Sequence, residues 1–313
     1  MTAAPIRPIL VVLDYRGGER FRRALASIDA AEDHFDRIIL SITAPWNSPD
    51  VAIAREYVDA RAARGEPSKA EVICSGLELP TMQHQRFWID YLMGTGATGS
   101  EWIYWLAYDD QVRLTGIRHL VDEAGSWPLV EGTAYFGPWA LRHERPEALY
   151  SGPWDDDLES WTSFPLDGPL RLPVAEWISR QLQQPTYMQM SGSVVSLHSH
   201  RRLVTSHPLK RGPMRIEMAT AADPANIAVE EFTEPVSIIY GRSNSDRANY
   251  GSAARKEDLH LAAGLARYAL QHPAALPTLA GSVARVASTY ARVLAGKGEL
   301  PAEDWVVRDT VRP

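Results

Sequence analysis

Two adjacent carboxylates, Asp109 and Asp110, close the stretch Gly99–Val112, G-S-E-W-I-Y-W-L-A-Y-D-D-Q-V. The run before them, Trp102, Ile103, Tyr104, Trp105 and Leu106, has the length and composition of a strand buried on both faces. Carboxylates beside the end of such a strand are costly to leave unpaired. In an open α/β sheet, however, the carboxyl ends of the strands face the ligand crevice. One or two carboxylates together with substrate phosphates are also the usual means of holding a magnesium-like ion. The pattern therefore predicts a metal-bound diphosphate at Asp109. An acidic turn that only solvates a strand end is the competing reading.

Other residues could do chemistry, each with a plainer alternative. Met82-Gln83-His84-Gln85-Arg86 opens a helix, and an arginine in the early turns of a helix suits an anion; an exposed helical Arg86 is the alternative. Trp154-Asp155-Asp156-Asp157 lies in a Pro-, Gly-, Asp- and Trp-rich segment from Glu144 to Pro173 that reads as a long functional loop. Its acids offer metal ligands or a solvated turn, and Trp154 and Trp161 offer a sugar-stacking face or loop packing. Gln189–Leu197 reads as a strand whose small residues, Gly192 among them, let a ligand approach the backbone. His198 and His200 would share a face if that strand continued; satisfied surface histidines are preferred to a metal pair. Cys74, the single cysteine, excludes an internal disulfide and sits in an apolar run as a small core residue.

Composition narrows the classes. A chain of 313 residues can bury a large core, and its net charge of −7, without a long basic run, argues against nucleic-acid binding. No apolar stretch is long enough to span a membrane and the N-terminus lacks a signal-peptide layout, so a cytoplasmic protein is expected.

The elements that must position these residues follow a pattern. Strands are expected at 8–13, 37–42, 71–74 and 102–106, alternating with helices carrying Phe21, Leu25 and Ile28, then 49–64, then 81–93. This β-α-β-α-β-α-β order predicts an α/β fold with a mostly parallel sheet covered by helices on both faces. The first loop, Asp14-Tyr15-Arg16-Gly17-Gly18, carries neither G-x-G-x-x-G nor G-x-x-x-x-G-K. Beyond Asp110 the expectations are a helix at 116–124, a strand at 133–139, a helix at 174–182, a helix opening at 212–220 with Glu217, and a strand at 235–240. Helices at 257–270 and 282–294 follow, the latter with a Val283, Val286, Tyr290, Val293 stripe. Such a stripe ordinarily docks on its parent domain; contact with the inner face of a membrane or a homodimer partner is its other use.

Four stretches in order resemble the inverting GT-A glycosyltransferases of the family 2 type: P-I-L-V-V-L-D-Y-R-G-G with its helix; Arg86 followed by E-W-I-Y-W-L-A-Y-D-D; Gly192–Arg202, G-S-V-V-S-L-H-S-H-R-R; and Glu234–Ser245, E-P-V-S-I-I-Y-G-R-S-N-S. The resemblance spans roughly residues 6–247. It implies a Rossmann-like GT-A catalytic domain at 1–247, with a nucleotide-binding half at about 1–112 and an acceptor-binding half at about 113–247, and a helical C-terminal extension at 248–313. It also implies a nucleotide-diphosphate sugar donor, Mn2+ or Mg2+, and a saccharide, lipid-linked or small-molecule acceptor. Asp14, Tyr15, Arg16, Arg86, Asp109 and Asp110 fall at the nucleotide sugar, with Asp109 and Asp110 toward the metal. Ala107 stands where the first Asp of D-x-D would be. Glu217 falls near the catalytic base, with Glu230 and Glu231 in reserve, and Trp154, Trp161 and Gly192 fall on the acceptor side. A non-catalytic saccharide-binding protein, a nucleotidyltransferase and a glycoside hydrolase are the competing readings.

Overall fold

The strand β1 (Ile9–Asp14) is buried along its whole length and forms the axis of the molecule. The computed structural model describes residues 7–65, 69–124, 134–136, 139–143, 170–183, 191–206, 227–230, 237–241, 266–281, 283–284 and 288. Alternate residues of β1 point to opposite sides, as strand geometry requires. Leu10 and Val12 pack against Phe21, Leu25 and Ile28 of α1 (Glu19–Ala31) and Val51 and Ala54 of α2 (Pro49–Ala63). Val11 and Leu13 pack against Trp88, Ile89 and Leu92 of α3 (Thr81–Gly94). The apolar run is continuous because both faces are covered. α2 starts where its chemistry dictates: the Ser48 hydroxyl accepts from Val51 N at 3.3 Å, and Pro49 occupies the first turn.

β2 (Ile38–Ile42), β3 (Ala70–Cys74) and β4 (Trp102–Ala107) complete a parallel half-sheet in the order β3-β2-β1-β4. The expected β-α-β-α-β-α-β order is present; the four strands, α2 and α3 each lie within two residues of their predicted limits, and α1 carries Phe21, Leu25 and Ile28 as expected. Cys74 is buried and its thiol donates to the Ala44 carbonyl at 3.2 Å.

After β4 come β5 (Gln111–Val112) and α4 (Leu114–Ala124). The strand expected at 133–139 is two strands in different sheets, β6 (Ala134–Phe136) and β7 (Trp139–His143). Pro138 falls between them, and proline has no N–H to give to a ladder. β8 (Leu170–Pro173) leads directly into α5 (Val174–Gln183). β9 (Ser193–Ser196), β10 (Ile227–Glu230) and β11 (Ser237–Gly241) complete the strands. The main sheet has the order β3-β2-β1-β4-β9-β6-β10-β8, with β9 and β8 reversed against the rest, and β5-β11-β7 form a second small sheet.

The histidine pair corrects a sequence expectation. The strand stops at Ser196, and His198 and His200 lie on α6 (Leu197–Ser206). The Ser196 hydroxyl accepts from Ser199 N at 3.3 Å, a helix N-cap bond that ends the strand. His200 is buried, its ring edge-on to Trp88 at 5.1 Å, so it is no surface histidine. At the C-terminal end, residues 266–271 and 276–281 are helical, with Leu270 and Leu276 exposed. The rest of the expected 257–270 helix, and most of 282–294, lie outside the described residues. No helix among the described residues is long and apolar enough to cross a membrane.

Candidate functional site

Three carboxylates from three elements meet at the carboxyl end of the parallel half-sheet. Asp14 is the last residue of β1 and has no exposed surface. Asp50 stands in the first turn of α2, where its Oδ1 accepts from the Gly18 N–H at 2.8 Å. Asp109 follows β4 and is 1% exposed. Burial is the first cause that lifts the Asp14 carboxyl from 3.8 to about 8; the adjoining Asp50 carboxylate is the next, and Asp109 adds to it. Asp14 lies against the Gly17 backbone and Asp50, yet neither of its oxygens reaches ordinary hydrogen-bond geometry among the described residues. The crowding is tight: a Cβ at Gly17 would stand 2.3 Å from Asp14 Oδ1 and 2.9 Å from Tyr108 Cδ2.

The turn that carries Asp109 and Asp110 is fixed from several sides. Asp110 N donates to the Ala107 carbonyl at 3.1 Å, and Tyr108 N continues the β1 pairing by donating to Leu13 O at 3.1 Å. On the α1 side, Arg23 Nη2 donates to the Asp109 carbonyl at 3.4 Å, and Val112 N donates to Ser27 Oγ at 3.1 Å. On the β9 side, the Ser191 hydroxyl accepts from Ala107 N at 3.1 Å and donates to Asp110 Oδ2. Gly192, at φ 83° in the left-handed region, donates its N–H to Trp105 O at 3.0 Å.

An aromatic and charged rim borders the cluster. Arg16, a non-glycine residue at φ 58°, places its guanidinium 5.3 Å from the Tyr15 ring centre and pairs with Glu78 at 2.5 Å. Tyr15 OH also donates to Glu78, at 3.4 Å. Trp46 follows β2 and is 60% exposed, with its indole lying on Gly76, where a Cβ would be 2.5 Å from Nε1. Exposed aromatic rings beside buried carboxylates can stack on a flat ligand group while charge is handled behind them.

Of the residues singled out from sequence, the structure brings Asp14 and Asp109 together and sets Tyr15 and Arg16 on the rim. Asp110 turns to Ser191. Arg86 lies elsewhere: its Nε and Nη2 donate to the Val204 carbonyl at 3.3 and 2.7 Å, tying α3 to the last turn of α6. Glu230 ends β10 opposite Leu170. Glu217, Glu231, Trp154, Trp161 and Asp155–Asp157 lie outside the described residues. Sequence reasoning missed Asp50, Trp46, Glu78 and Ser191. Asp50 was visible only as an acid in the first helical turn after S-P, which ordinarily serves the helix itself.

Asp109 offers the carboxylate oxygens that a hard cation takes, whereas Asp14, lifted to about 8, is no anionic ligand near neutral pH. Among the described residues no three His, Cys, Asp or Glu side chains form a ready metal-ligand group. An ion there would be held by one or two carboxylates together with the phosphates of a ligand.

No family profile matches the chain, and no curated protein resembles it in sequence. Solved structures resemble it in fold. Residues 1–349 of TarS from S. aureus, in complex with UDP-GlcNAc, superpose with a TM-score of 0.54 over 83% of this chain and 66% of that one, at 8% identity. The chain shares the α/β fold of that structure. This chain spans about two thirds of that TarS fragment. The mannosyltransferase PcManGT from Pyrobaculum calidifontis, in complex with GDP-Man and Mn2+, gives 0.48 over 94% of this chain and 81% of its own, at 14% identity.

Proposed function

We propose that this chain is a glycosyltransferase that moves a sugar from a nucleotide-diphosphate donor to an acceptor hydroxyl, with inversion. The observation that carries the reading is the meeting of Asp14, Asp50 and Asp109 at the carboxyl ends of β1 and β4 in a GT-A sheet. The donor's diphosphate lies over those strand ends, and its base lies across the Tyr15, Arg16 and Trp46 rim. Asp109 would hold Mn2+ or Mg2+, which would supply positive charge to offset the charge developing on the departing diphosphate. With a pKa of about 8, Asp14 keeps its proton near neutral pH and brings no further negative charge toward the phosphates. Glu217 takes the acceptor proton, with Glu230 and Glu231 in reserve, and Trp154, Trp161 and Gly192 bound the acceptor. Residues 1–112 form the donor half, 113–247 the acceptor half and 248–313 an extension available for a membrane surface or a second copy.

Ala107, at the first D-x-D position, favours one other reading: a non-catalytic sugar-nucleotide binder. Release of free UDP or GDP from a panel of sugar nucleotides with Mn2+ separates the two. Turnover of one donor, lost in Asp109→Asn and in Glu217→Gln, supports the enzyme. Donor binding with no release in the presence of diverse acceptors supports the binder.

A further inference from the structure

Asp109 and Asp110 are neighbours in sequence but meet different groups. Asp109 is close enough to Asp14 to raise its pKa, on the β1 and α2 side. Asp110 meets the turn that leads into β9, on the other flank of β4, where Ser191 donates to Oδ2. The same Ser191 oxygen accepts the N–H of Ala107, the last residue of β4. Asp110 N in turn donates to the Ala107 carbonyl. Ala107, Asp110 and Ser191 thus form a closed ring of hydrogen bonds around the turn that carries Asp109. Ser191 is itself 1% exposed, so water does not compete freely for these bonds.

We infer that Ser191 is a positioning residue for the donor site: by clamping Asp110 to the turn before β9 it leaves Asp109 as the carboxylate of the pair that faces the metal and diphosphate. The inference rests on the donor-site reading above. It also gives the acceptor half a mechanical hold on the donor half, because Gly192, next in the chain, is bonded to Trp105 in the same ladder. A hydrogen bond that orients a ligating turn without touching the ion typically governs affinity by about 10–100-fold.

Titration calorimetry with UDP and GDP, each with Mn2+, tests it, with circular dichroism and melting as the check on folding. Ser191→Ala is expected to weaken metal-dependent nucleotide binding by about tenfold or more, and Ser191→Thr, which keeps the hydroxyl, to recover most of it. Asp110→Asn keeps an acceptor oxygen for Ser191 but is a poor metal ligand, so its loss is expected to be far smaller than that of Asp109→Asn. Unchanged binding in Ser191→Ala overturns the inference while leaving the donor site standing, as does an Asp110→Asn loss equal to that of Asp109→Asn. No nucleotide binding by the unsubstituted chain overturns the donor-site reading and the inference with it.

Discussion

Asp14 carries the clearest physical tension in the molecule. Its carboxyl titrates at about 8 when folded and near 3.8 when unfolded, so the folded chain holds a proton that the unfolded chain releases. Stability from this group is intact below about pH 4, declines as the pH rises toward 8, and is fully lost above that. Asp14→Asn removes the ionisation while keeping the shape. Urea denaturation should show it stabilised more at about pH 9 than at about pH 5. Gly17→Ala pushes a methyl into Asp14, Phe21 and Tyr108, and a loss of about 1–3 kcal/mol is expected in the same assay. At this scale the sequence revealed Asp109 through its place after an apolar run. It concealed Asp50, because proximity between residues 14 and 50 exists only once β1 and α2 are packed.

Among the elements, the seam between α3 and α6 is held by polar groups that sequence patterns assign elsewhere. Arg86→Ala removes two charge-assisted bonds to Val204 O and should cost about 1–3 kcal/mol, read as a lower denaturation midpoint. Burial holds His84 down to about 4 and His200 to about 3, so both are neutral in the folded chain. Their contribution is whole above pH 6.5 and is lost as the pH falls from 6.5 toward 4, because the unfolded chain then binds protons that the folded one refuses. A melting-temperature series across that range should fall, and His200→Phe, which keeps a ring against Trp88, should flatten the fall. The parallel half was readable since each strand is an apolar run and each helix has a periodic face. The strand-to-helix switch at Ser196 was misread, for Val194, Val195 and Leu197 make one apolar run and only the Ser196 hydroxyl bond to Ser199 breaks it.

For the whole molecule, fold and function stand at different distances from the sequence. The order of strands and helices was enough to expect a mostly parallel sheet covered by helices on both faces, because parallel strands joined by helices have few ways to pack. The reversed strand β9, which brings Ser191 beside Asp110, was read as a strand but without its direction, since pairing between residues 102–104 and 194–196 leaves no local pattern. In the proposed function a nucleotide-diphosphate sugar and a divalent ion bind together at Asp109. A thermal-shift series of UDP- and GDP-sugars with and without Mn2+ tests it most directly. A ligand specific for the folded state, at about 100 times its Kd, adds about 3 kcal/mol of stability. A rise in melting temperature is expected for at least one donor, requiring Mn2+ and disappearing in Asp109→Asn. No rise with any donor, or a rise that Asp109→Asn leaves untouched, would contradict it.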